Sequence, residues 1–169
     1  MAEAFMVNEN LTEEEKYKLI LPQAEHLLDK DDFTVTSLSN FTAILKQTFG
    51  KISWAGFYLA KGEHLFLGPF QGKVACTRIR IGTGVCGTAA REGRTVIVPD
   101  VNKFPGHIVC DAESKSEIVV PLIKNEKLIG VLDLDSTSYN SFNDTDAKYL
   151  EELCAILLGK INTEINILI

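Results

Sequence analysis

The sequence predicts an α+β fold, with a largely antiparallel sheet covered by helices from the two ends of the chain. Three observations carry this. Apolar residues recur at helical spacing near both termini, the middle is rich in short β-branched and aromatic runs, and tight turns join most of those runs as hairpins. The chain has 169 residues and no internal repeat, low-complexity segment or linker, so a single domain over 1–169 is expected.

Thr12-Glu-Glu-Glu15 has the form of a capping box, in which the threonine caps a helix and Glu15 reaches back. Tyr17, Ile20, Ala24, Leu27 and Leu28 follow on one stripe, and the acidic turn from Asp29 to Asp32 ends that helix. A second helix is expected from about Thr36 to Phe49, striped by Leu38, Phe41, Leu45 and Phe49 and stopped at Gly50. Ile52 to Leu59 reads as a strand, with His64 to Leu67 its hairpin partner across Lys61-Gly62-Glu63. Gly68 to Gly72 is expected to be a loop, and Ala75 to Ile81 an alternating strand.

Gly82-Thr-Gly84 should open a short helix through Cys86 to Arg91, followed by a brief strand from Thr95 to Val98. Pro99 to Ser116 is a long loop carrying Cys110, and loops of that length in a compact domain are usually functional. Glu117 to Ile123 and Lys127 to Asp133 pair across a turn. Asn143 or Asp144 caps a closing helix striped by Leu150, Leu153, Cys154, Leu157, Ile161, Ile165 and Leu168.

Hydrophobic residues make up 46% of the chain and charged residues 24%, an ordinary globular balance. A net charge of -6 argues against nucleic-acid or anionic-membrane partners, which want a basic patch. The first ten residues lack a basic stretch leading into an apolar run, and no apolar run approaches the ~18 residues of a membrane span. A cytoplasmic protein is therefore expected, where cysteines stay reduced unless their chemistry is in use.

The cysteines read Cys76-x9-Cys86-x23-Cys110, with Cys154 apart. Neither a zinc-type C-x2-C pair nor a thioredoxin-type C-x-x-C occurs, so no metal site is expected. Cys154 fits a core filler in its helical stripe, and Cys86 stands evenly between filler and function. Cys76 and Cys110 lie in or beside Gly/Pro-rich loops, where a thiol is accessible. His107 could lower the pKa of Cys110, though three residues along a loop guarantee no contact. Asp133 and Asp135 share one face of a strand, either as a solvated pair or as a buried pair that keeps a proton near neutrality. Glu117 opens the partner strand and could join them. Trp54 and Tyr58, four apart on a strand, face one side.

At these residues the chain resembles the free methionine-(R)-sulfoxide reductases, which are stand-alone GAF-domain enzymes. The matching segments are Trp54-Ala-Gly-Phe-Tyr58, Gly68-Pro-Phe-Gln-Gly72, Cys76, Gly84-Val-Cys-Gly87, Pro105-Gly-His-Ile-Val-Cys-Asp111, Ser116-Glu-Ile-Val-Val-Pro121 and Gly130-Val-Leu-Asp-Leu-Asp-Ser136. The resemblance implies a single GAF domain that reduces free L-methionine-(R)-sulfoxide. It implies that Cys110 attacks the sulfoxide sulfur, that Cys76 resolves the resulting sulfenic acid, and that Cys86 is secondary or an alternative resolver. It places Glu117, Asp133 and Asp135 around the sulfoxide oxygen and Trp54 and Tyr58 against the substrate methyl. No bound cofactor is implied. External thioredoxin, thioredoxin reductase and NADPH would supply the electrons, and a homodimer is compatible with such a fold.

The chemistry wants the same residue types. Sulfoxide oxygen leaves only once protonated, a task for a carboxyl group with a raised pKa. The nucleophile needs thiolate character, and a second thiol protects the sulfenic acid from further oxidation. Two rivals remain: a non-catalytic GAF module that senses a small ligand, and a redox switch built on Cys76 and Cys110. The length leaves no expected room for a sensor's output domain, and a switch would not use the carboxylates.

Overall fold

Capping residues set both ends of the helical layer. Thr12 and Glu15 complete the expected capping box before α1 (Glu13–Leu27), and Asn143 with Asp146 completes another before α4 (Asp144–Lys160). The structure is a computed structural model that describes residues 10–108 and 110–162. Ile165 and Leu168, assigned above to the last helical stripe, lie outside the described residues, as do residues 1–9 and Val109.

Between these helices run α2 (Thr34–Thr48), β1 (Trp54–Lys61), β2 (His64–Gln71), β3 (Arg78–Arg80), α3 (Gly84–Glu92), β4 (Val96–Val98), β5 (Ser116–Lys124) and β6 (Lys127–Ser136). The strands form one six-stranded sheet in the order β3-β2-β1-β6-β5-β4, and the neighbouring pairs are antiparallel. The expected α+β class is what the chain adopts.

Alternation along the central strands sends side chains into two cores. Ala55, Phe57, Ile118, Val120, Leu132 and Leu134 pack under α1, α2 and α4, with Tyr17, Phe41, Leu45, Leu153 and Cys154. Trp54, Tyr58, Val119 and Val131 face the opposite way, towards Val85, Cys86 and Ala89 of α3. Cys154 is thus the apolar filler its stripe suggested.

Three departures from expectation bear on the site. Gly68 to Gln71 is strand rather than loop, because Phe70 and Gln71 resume pairing with Gly56 and Ala55 beyond a register shift. β3 pairs only His64 to Phe66, so Pro69 sits where β2 has a free edge and needs no N–H. Conversely, Ala75 to Thr77 is not strand. There the chain leaves the sheet to carry Cys76 to its disulfide partner. Finally, β6 continues through Asp135 to Ser136, extending the strand that carries the acids.

Candidate active site

The second core opens at one end into a pocket that draws on several parts of the chain. β1 supplies Trp54 and Tyr58, β5 supplies Glu117, and β6 supplies Asp133 and Asp135. α3 supplies Cys86, and the loop before β5 supplies His107, Ile108, Cys110, Asp111 and Ser114. Sheet register explains the convergence. Trp54 pairs with Asp135, and Asp135 pairs on its other side with Glu117, so side chains distant in sequence meet on adjacent strands.

Two glycines seat the indole. A Cβ on Gly56 would lie 2.3 Å from the Trp54 ring, and one on Gly72 would lie 2.5 Å from it. The ring is therefore sandwiched where only hydrogen fits, stacked on Phe70 with centroids 5.4 Å apart and 6.0 Å from Tyr58. Its N–H donates to the Lys73 carbonyl at 3.0 Å, tying the aromatic wall to the segment that leads to Cys76.

Cys76 and Cys110 form a disulfide with Cα atoms 5.5 Å apart, within the ordinary range for such a bridge. Both residues are half-buried. Cys110 lines the pocket, whereas Cys76 is absent from its lining and packs against the edge of the second core. With the bridge closed the pocket encloses about 40 Å³, room for about three waters.

The acids form the floor. Glu117 and Asp133 are each 6% exposed, which removes the solvated-face alternative for Asp133. Burial, and then the mutual repulsion of the carboxylates, pushes Glu117 and Asp133 well above the usual carboxylate range. Burial also raises Asp135, to about 6, while a hydrogen bond from the Ser114 hydroxyl holds it back. The cluster thus keeps protons near neutral pH. Asp133 Oδ1 is buried without a hydrogen-bond partner.

Cys86 packs as a filler within reach of the acids. It is buried on the inner side of α3, and its Sγ lies 3.9 Å from Glu117 Oε1. Burial, followed by the charges of Asp133 and Glu117, pushes its thiol well above the ordinary cysteine range. It is a proton-holding thiol rather than a ready nucleophile. His107 lines the same pocket as Cys110, but burial lowers its pKa, so the imidazole is neutral and brings no cation to the thiol.

The sequence reading missed the groups that hold the loop down. Ser114 binds Asp135 through its hydroxyl, and Lys73 pairs with Glu113 and Asp111 across the two cysteine segments. None of these lies on a periodic element, so no spacing signal announced them.

A model of the GAF domain matches residues 34–159 of the chain. The GAF domain-containing protein A of Dictyostelium discoideum is 51% identical over 158 residues, covering 93% of this chain and 99% of that protein. A free methionine-R-sulfoxide reductase of Saccharomyces cerevisiae is 47% identical over 156 residues, covering 88% of this chain and 87% of the relative. Among solved structures, the free methionine-R-sulfoxide reductase of Neisseria meningitidis in complex with its substrate superposes with a TM-score of 0.87 at 45% identity, covering 92% of this chain and 93% of the other.

Proposed function

This chain belongs to the GAF family and, within it, to the free methionine-R-sulfoxide reductases, and we infer from that premise how its own residues carry the reaction. The protein reduces free methionine-R-sulfoxide to methionine by thiol chemistry. The observation that carries the assignment of roles is a disulfide at the mouth of a pocket floored by proton-holding carboxyl groups.

Cys110 is the nucleophile, because it is the bridge cysteine that lines the pocket. Its thiolate attacks the sulfoxide sulfur while the acid cluster gives a proton to the oxygen. The protonated oxygen then passes to the Cys110 sulfur as its bond to the substrate sulfur and the transient S–S bond break, so methionine leaves with the electron pair and Cys110 becomes a sulfenic acid. Cys76 then attacks that sulfur, water departs and the disulfide closes. We assign the proton to Glu117 or Asp135, the first pushed well above the usual carboxylate range by burial and the neighbouring acids, the second raised by burial to about 6. Trp54 and Tyr58 offer an apolar wall to the S-methyl group. Cys86 is not the first-choice resolver, since its buried thiol resists ionisation.

Substrate reacts with the bridge open, since the nucleophile must be a free thiolate. A thioredoxin-type dithiol, with its reductase and NADPH behind it, returns the disulfide to two thiols. The electrons pass by thiol–disulfide exchange, and the cycle asks for no bound cofactor. A reducing compartment such as the cytoplasm suits this cycle, and no helix among the described residues is long and apolar enough to cross a membrane. A purely sensory reading leaves the buried acid cluster without a purpose.

The test is NADPH oxidation with thioredoxin and thioredoxin reductase, offered free R-sulfoxide, free S-sulfoxide and peptide-bound sulfoxide in turn. Turnover with the free R form alone is expected. Equal turnover of the peptide form, or none with any, would overturn the reading.

A further inference from the structure

We propose that Cys86, Glu117 and Asp133 form a binding site for a borderline divalent cation of the zinc class on the floor of the pocket. One donor atom from each residue lies within 4.8 Å of the other two, and all three residues are buried. They come from three elements, α3, β5 and β6, so packing of the fold rather than a flexible loop holds them together. The Sγ to Oε1 distance of 3.9 Å already approaches the spacing of two donors on one tetrahedral ion.

The second observation is independent of that proximity. Asp133 Oδ1 is buried and has no hydrogen-bond partner, although the residue is only 6% exposed. A buried carboxylate oxygen left unpaired is costly unless something positive reaches it, and a cation would satisfy it directly. No lysine or arginine lines the pocket to do so.

The donor set selects the class of ion. One thiolate with two carboxylates suits zinc or cobalt, with water completing a four-coordinate shell. Calcium and magnesium prefer all-oxygen shells of six or more donors, which a thiol interrupts. The enclosed space accommodates an ion with a water or two. Binding displaces protons from the thiol and the carboxyl groups to solvent, because each donor must be deprotonated. An ion seated there also covers the acids assigned to the sulfoxide oxygen, so it competes with substrate. That consequence rests on the reductase reading, whereas the binding itself does not.

The experiment uses the full chain in its disulfide form, so that Cys76 and Cys110 are unavailable as ligands. Cobalt(II) alone is titrated in, and thiolate-to-cobalt charge-transfer absorption is followed, with zinc added afterwards as competitor. One equivalent per chain is expected, displaced by zinc. The band should vanish in Cys86→Ser and persist in Cys154→Ser, and Asp133→Asn should bind at least about tenfold more weakly. Thermal melts establish that each variant is folded, and Asp133→Asn carries the test if Cys86→Ser is not. An absent band, a band that survives Cys86→Ser, or unweakened binding by Asp133→Asn overturns the proposal. Because no turnover is measured, this outcome is separate from the fate of the reductase reading.

Discussion

Two aspartates are buried on opposite sides of this sheet, and they are treated differently. Asp146, at the start of α4, is 1% exposed and fully partnered. It accepts from the Tyr17 hydroxyl at 2.9 Å, from Lys51 Nζ at 2.7 Å and from the Asn143 backbone at 2.9 Å. Asp133, on β6, is 6% exposed and faces Glu117, Asp135 and a thiol, with one oxygen unpartnered. A carboxylate placed for structure receives a cation and donors. One buried among like charges instead holds its proton more tightly than an ordinary carboxylate. The two buried cysteines repeat the contrast. Cys154 is enclosed by apolar neighbours, Cys86 by acids.

The largest effect is expected where the partners are most complete. Asp146→Ala leaves the Tyr17 hydroxyl without its acceptor, takes one of two carboxylates from Lys51, which keeps Glu13, and removes the α4 capping box, which should cost about 3 kcal/mol in denaturant unfolding. The folded fraction should keep its turnover number. A comparable fall in turnover would mean that the helical side contributes to chemistry and that the contrast is false.

Next comes Glu117→Gln, which keeps the shape of the floor and removes an acid. The rate of sulfoxide reduction should drop about a hundredfold, equivalent to about 2.7 kcal/mol of barrier. Reactivity of the thiols towards a disulfide reagent should not change. An unaltered reduction rate would hand the proton to another group.

A smaller effect sharpens the comparison through pH. Burial and neighbouring charge raise Asp133 above its ordinary value, so the folded state binds that proton more tightly than the unfolded state does. The associated stability is complete below the ordinary carboxylate range and is lost as pH rises through the raised folded value. Asp133→Asn has no proton to lose. Its melting temperature should match the wild type near pH 4 and exceed it by on the order of 2–4 °C at pH 8. A difference that shrinks as pH rises would reverse the sign of the argument. Activity should likewise decline on the alkaline side as the cluster loses its proton, read from a pH profile of kcat.

The smallest effects belong to the cysteines that do not form the bridge. Cys154→Ala should cost about 1 kcal/mol of stability and leave kcat unchanged. Cys86→Ser should still complete many turnovers with thioredoxin. A stall after one methionine would instead make Cys86 the resolver.

Much of this arrangement was legible before the fold was known, and for identifiable reasons. Strand alternation put Asp133 with Asp135 on one face of their strand and Trp54 with Tyr58 on one face of theirs, and antiparallel pairing brought those faces together and set Glu117 opposite Asp135. Capping residues located the first and last helices. Whether the acid face was wet or buried was not legible, because a period of two is the same in either case. The covering elements decide it, and they are α3 and the loop of Cys110. The continuation of β2 through Pro69 was hidden because a proline in a strand reads as a break unless the edge is known to be free. Ser114 and Lys73 left no signal because loop contacts depend on where the loop lands.

The central claim is that Cys110 receives the oxygen and Cys76 removes it, and one measurement addresses it directly. Cys76→Ser protein, fully reduced, is mixed with free methionine-R-sulfoxide and a sulfenic-acid trapping reagent, then digested and mapped by mass spectrometry. One methionine per chain should be released, with the trapped adduct on Cys110 and no further turnover when thioredoxin is added. An adduct on Cys86, or sustained methionine release, would contradict the account.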